Sequence, residues 1–175
     1  MIVVRLMGGL GNQLFQYAAA KHLSVLNNAE LYFDTSFFST KTEDTTPRKF
    51  ELDVFHIKYK LATDEMLNHF HGCEFNSTEL VLTKLLSFGK FKKYKFNEYG
   101  FDEHFLDLKG NYYVRGFFQS EKYFSAIKSI IREELIIGQE HLPADVELVN
   151  QIKNTANAVS IHIRRGDYIR NLTSM

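Results

Sequence analysis

The sequence predicts an α/β chain organised around a largely parallel β-sheet. Three observations carry this. Short apolar runs alternate with segments of helical periodicity through much of the 175 residues. The stretch from Ile2 to Asp34 reads as strand, helix, strand, with about the length that a βαβ crossover needs. The first strand runs into a glycine-rich turn, Met7-Gly-Gly-Leu-Gly-Asn-Gln13, of the kind that joins a buried strand to a helix.

Ile2 to Leu6 is apolar and β-branched, as expected of a strand buried on both faces. Asn12 or Gln13 is read as opening a helix that runs to about Asn27, with Leu14, Phe15, Ala18, His22 and Val25 near one face. Asn27-Asn28 ends it. Glu30 to Phe33 is the second strand, closing at Asp34. Residues 39–49 are polar, contain the first proline and are read as a loop. Thr63 to Phe70 predicts a short helix with Asp64 and Glu65 in its first turn. Residues 84–96, including the run Lys-Phe-Lys-Lys-Tyr-Lys-Phe, are best read as a solvated edge strand or loop, since lysines protect sheet edges.

Tyr112 to Phe118 is a further aromatic strand. Ser120 is placed as the cap of a helix carrying Phe124, Ile127, Ile131 and Leu135 at helical spacing. Pro143 interrupts the chain. Asp145 to Asn154 follows as a helix with Val146, Val149 and Ile152 in one stripe. Ala158 to Tyr168 closes the series as a strand and a loop.

Composition narrows the function classes. With 21 basic and 21 acidic side chains the formal net charge is zero, which argues against a dedicated nucleic-acid binder. The lone cysteine, Cys73, excludes an internal disulfide framework and a cysteine-based zinc site. Met1 to Leu6 is too short for the apolar region of a secretory leader, so the default expectation is a cytoplasmic protein. No stretch approaches the roughly 18–20 apolar residues of a membrane span.

Two motifs carry chemistry. Gly9-x-Gly11-x-x-Leu14 comes near a dinucleotide fingerprint, with Asp34 near the place of a ribose-binding acid. Leu14 stands where that fingerprint needs a small residue, and no Gly-Lys-Ser/Thr follows to make a P-loop. The second motif is His162-Ile-Arg-Arg-Gly-Asp167. Alternation puts Val159, Ile161 and Ile163 on one face of a strand and Ser160, His162 and Arg164 on the other. Arg164 and Arg165 offer planar forks of donors suited to a phosphate. Asp167 is suited to holding an arginine or taking a proton. These residues suit an anion site equally with a surface arginine pair beside a satisfied histidine.

Gly8 to Ala18 and His162 to Tyr168 together resemble glycosyltransferase family 11, the bacterial α-1,2-fucosyltransferases. Arg115 to Phe124 is similar to a third stretch of that family, and Pro47 to Phe55 more weakly to a fourth. The resemblance spans the chain in order. It implies a GT-B fold, with residues 1–155 as a Rossmann-like acceptor-side domain. Residues 156–175 would supply only the first strand of the C-terminal donor domain. It implies inverting transfer of L-fucose from GDP-β-L-fucose to the 2-hydroxyl of a galactose residue in a surface oligosaccharide, with no metal and no other cofactor. The setting would be the cytoplasm, with room for peripheral association at the inner face of the plasma membrane.

Carried over residue by residue, Arg164 would bind the diphosphate and stabilise the leaving group, supported by Arg165 and His162. Asp167 would order the motif and is one candidate for the base, as is Asp34. Gly9, Leu10, Gly11, Asn12 and Gln13 would contact the donor from the opposite wall of the cleft, near the diphosphate and fucose. Family members are longer, so these 175 residues alone are expected to be inactive. The competing readings are a nucleotide- or dinucleotide-binding oxidoreductase domain built on Gly9 and Gly11, and a non-catalytic glycan-binding domain built on the 14% aromatic content.

Overall fold

The structure, a computed structural model, describes residues 1–39, 47–71, 92–96, 100–138 and 146–161. Among the described residues five strands form one sheet: β1 (Ile2–Arg5), β2 (Leu31–Asp34), β3 (Lys60–Leu61), β4 (Lys92–Lys95) and β5 (Tyr112–Arg115). Their order is β3-β2-β1-β5-β4, and every pairing is parallel. The α/β expectation with a parallel sheet is met. β1 lies at the centre, and Ile2, Val3 and Val4 are fully buried. A strand buried on both faces must be apolar throughout, which is why this one is. β4 is an edge strand built of Lys92-Lys-Tyr-Lys95, where exposed lysines discourage further pairing.

Helix α1 (Leu10–Leu26) covers one face of the sheet. It begins two to three residues before the expected Asn12 or Gln13, because Gly9 already has the extended backbone of an N-cap. It ends as expected. Asn28 turns left-handed (φ 45), and the Ala29 N–H bonds back to the Ser24 carbonyl at 2.9 Å. The Asn27 side chain donates to the Leu108 carbonyl at 2.9 Å and accepts from the Gly110 N–H at 3.0 Å, tying the helix end to the entrance of β5.

The buried side of α1 is wider than one stripe. Gln13, Gln16, Tyr17, Ala18, Ala19, Ala20, His22, Leu23 and Ser24 are all buried. Val25, expected on the buried face, is 44% exposed. The helix is sandwiched between the sheet and the segment 103–134, which turns it to bury flanks that a one-sided helix would leave wet. Contacts from that segment include His22 Nδ1 to the Tyr123 carbonyl (2.6 Å) and the Lys21–Glu134 ion pair (2.6 Å), with Tyr17 also donating to Glu134.

The other face of the sheet is covered by α2 (Asp64–His71), whose Met66, Leu67 and Phe70 pack with Val3 and Tyr113. Asp64 and Glu65 stand in its first turn as expected.

After β5 the predicted single helix is broken. Ser120 caps a short 3-10 turn (Glu121–Tyr123), a second follows (Ser125–Ile127), and only then comes α3 (Lys128–Glu134). Ile127 and Ile131 are buried as their spacing predicts. Helix α4 (Val146–Asn154) forms, yet it has no buried residue. Residues 158–161 have no regular structure, with Val159 at 86% and Ile161 at 85% exposure. The expected strand face of Val159 and Ile161 is therefore not buried among the described residues. None of the described helices is long and apolar enough to cross a membrane.

Candidate functional site at the end of the central strand

In open parallel α/β sheets ligands bind beyond the carboxyl ends of the strands. Here β1 hands over to α1 at that edge, through Leu6 to Gly9. Gly8 has φ +78, and a Cβ placed on it would lie 2.5 Å from the Asn12 amide nitrogen, so the turn requires glycine. Gly9 and Gly11 are different. Gly9 has an ordinary φ of −80, and a Cβ on it would meet only the Arg48 guanidinium, at 3.7 Å. A Cβ on Gly11 would meet nothing within 4 Å. Neither backbone strain nor described packing demands glycine at these two positions. They leave bare main chain at the start of a long helix, where the first N–H groups lack intrahelical acceptors. No acidic side chain lies in that first turn and no side chain caps it. The positive end of the helix dipole is left open to an anion.

Two buried glutamines hold this turn. Gln13, fully buried, donates to the Gly8 carbonyl at 3.0 Å and the Lys49 carbonyl at 2.8 Å, and accepts from the Glu51 N–H at 3.0 Å. Gln16, also fully buried, accepts from the Met7 N–H at 2.9 Å and donates to the Met7 carbonyl at 3.2 Å. Gln13 thus stands behind the turn and straps residues 47–51 to it, which carries Arg48 against Gly9. Of the N-terminal positions read as donor-binding, Gly11 is exposed, Gly9, Leu10 and Asn12 are half-buried, and Gln13 is enclosed.

A third stretch arrives from β5. Phe118 has φ +50 and is almost fully buried. A left-handed phenylalanine costs about 1–3 kcal/mol and persists only where its surroundings enforce it. Phe105 and Tyr123 enforce it, with ring centroids at 4.8 and 5.3 Å. The turn brings Gln119 to the surface, where its amide donates to Asn12 Oδ1 at 2.8 Å. Gln119 and Arg48 were not singled out from the sequence. Each sits in a stretch quoted for its resemblance, but nothing in the local pattern marks either as a neighbour of Gly9 and Asn12.

Asp34 ends β2 and is 1% exposed. Its oxygens accept from the Ser36 N–H at 2.9 Å and the Tyr113 hydroxyl at 2.6 Å. Burial, and then that bond to Asp34, push the Tyr113 phenol well above its usual range. A carboxylate enclosed and bonded in this way serves the sheet edge; it is not placed to receive a ribose or a proton from solvent. His162, Arg164, Arg165 and Asp167 lie outside the described residues.

A parallel α/β sheet with a helix starting at the carboxyl edge of its central strand is a Rossmann-like architecture. The whole sequence says which kind. The chain belongs to glycosyl transferase family 11, whose sequence profile matches residues 1–175. It is 30% identical over 181 aligned positions to an alpha-1,2-colitosyltransferase of Escherichia coli, covering 100% of this chain and 58% of that protein. It is 32% identical over 179 positions to the O-antigen biosynthesis glycosyltransferase WbnK of Escherichia coli, covering 95% of this chain and 59% of that protein. The chain therefore spans less than two thirds of the length of either relative. No solved structure matches it.

Proposed function

We propose that this chain is the acceptor-side portion of an inverting sugar transferase that moves L-fucose, or the colitose that one relative's name specifies, from a GDP-linked donor to the 2-hydroxyl of a galactose residue. The observation that carries the reading is the bare start of α1, where neither the backbone nor the packing of the described residues requires glycine at Gly9 and Gly11. Main chain stripped of side chains at a positive helix end suits the close approach of a diphosphate-linked sugar.

Inversion needs one in-line displacement. A base removes the acceptor hydroxyl proton as the bond to the anomeric carbon forms, and the departing diphosphate gains charge. Gly9, Leu10, Gly11 and Asn12 line the cleft, and Gln13 acts by fixing the turn. Arg164 meets the diphosphate with Arg165 and His162 beside it, and Asp167 orders that motif or serves as the base. No metal is assigned a role. Residues 1–155 form the acceptor-side domain and 156–175 begin the donor domain. Such an enzyme would work in the cytoplasm on a surface-glycan precursor.

The test is a chimera: residues 1–175 joined to the region of the colitosyltransferase that the match leaves uncovered. It should transfer fucose or colitose to lactose, whereas residues 1–175 alone should not. A folded chimera that is inert beside an active parent enzyme would contradict the reading.

A further inference from the structure

A row of three cations crosses the carboxyl edge of the sheet on the face opposite α1, and Asp34, the carboxylate beside it, is already bonded to Ser36 and Tyr113. In the β1–β5 register Val3 lies beside Tyr113 and Val4 beside Val114, so the next positions, Arg5 and Arg115, are also neighbours. Lys95 lies beside Arg115 on β4. Val3 and Tyr113 pack with α2, whereas Ile2, Val4 and Val114 belong to the core under α1. Alternation therefore puts Arg5, Arg115 and Lys95 on one face, at one level, across three adjacent strands.

Asp34 is the register partner of Arg5 on its other side. Its two oxygens go to Ser36 and, across β1, to Tyr113. Among the described residues no ion pair joins Arg5, Arg115 or Lys95 to a carboxylate. The Arg5 Nε is buried and has no hydrogen-bond partner among the described residues. Tyr113, paired with Val3, lies on the same face one step before both arginines. Like charges on neighbouring strands repel, and a buried donor without an acceptor is costly. An oxyanion relieves both, and a guanidinium fork is shaped to receive one.

We propose that Arg5 and Arg115, with Lys95 at the rim, form an oxyanion subsite for a phosphate or carboxylate group carried by a substrate, separate from the start of α1. The inference does not depend on sugar transfer. It identifies the substrate bound along this edge as acidic.

The test is calorimetric titration of the 175-residue chain at low salt with pyrophosphate and, separately, with glucuronate. One of the two should bind saturably; pyrophosphate would mark a phosphate source and glucuronate a carboxylate source. Arg115→Gln and Arg5→Gln should each weaken that binding about tenfold or more, and Lys95→Gln by less. Lys109→Gln, on the loop entering β5 at the opposite edge, should leave it unchanged. If Arg5→Gln fails to fold by circular dichroism, Arg115→Gln alone decides. Absence of saturable binding of either anion would overturn the proposal. So would arginine variants that bind as the wild type does, including the case in which Gly11→Leu abolishes binding and they do not.

Discussion

Helices α1 and α4 each carry apolar residues at helical spacing and meet opposite fates. α1 is enclosed by the sheet on one side and by segment 103–134 on the other, and it buries nine residues, four of them polar. α4 segregates Val146, Val149 and Ile152 more cleanly from its charged residues, and it buries none. An apolar stripe records a face that is favourable to bury; it does not record whether a described neighbour buries it. The converse also holds. Where a helix is enclosed on two sides, glutamine and histidine enter the core, provided that backbone groups are there to satisfy them.

The largest effects should fall in α1. Leu23→Ala should lower the unfolding free energy by about 2–5 kcal/mol in urea titration, because it opens a cavity in a close-packed interface. Gln13→Ala should follow at about 2–3 kcal/mol, since the Gly8 and Lys49 carbonyls and the Glu51 N–H all lose their partner inside the fold. If Gln13→Ala were neutral, the strap holding residues 47–51 to the glycine turn would be of no account.

Alkaline pH should weaken the same region. Burial, then the bond to Glu134, raise the Tyr17 phenol above its ordinary 10.0, and Tyr113 is raised through burial and Asp34. A group whose pKa is higher in the folded state keeps its full contribution below the unfolded value. Stability should therefore hold up to about pH 10 and fall above it. Tyr17→Phe should flatten the fall in a melting-temperature series across that range. At the far end of the comparison, Ile152→Ala in α4 should change stability by no more than about 0.5 kcal/mol. A cost near that of Leu23→Ala would show that the α4 stripe is covered after all.

Much of the scaffold was legible because it depends on near neighbours in sequence. The strand–helix–strand start, the asparagine stop of α1, the lysine edge strand and the acidic opening of α2 all follow from local pattern. The site was legible only in part. Gly9, Gly11 and Asn12 lie where the glycine motif suggested. Gln13 does not reach outward, because three backbone groups brought in by distant segments claim its amide, and sequence spacing cannot show such partners. Gln119 approaches Asn12 only because an aromatic cluster holds Phe118 left-handed. The break of the expected helix after Ser120 has the same origin: Tyr123 is drawn into the core, where its hydroxyl accepts from the Asp102 N–H at 2.7 Å, and the local 3-10 turn follows from that anchoring.

On the proposed reading, the start of α1 is bare for a ligand and not for the fold. Gly11→Leu tests it most directly, measured in the chimera for both unfolding free energy and transfer rate. With open space among the described residues at the Cβ position, the change should leave stability equal or raise it by about 0.5–1 kcal/mol, as replacing a helical glycine generally does. Transfer should fall about tenfold or more, because the side chain would occupy the ground proposed for the donor. Undiminished transfer in a variant at least as stable as the parent would contradict the account.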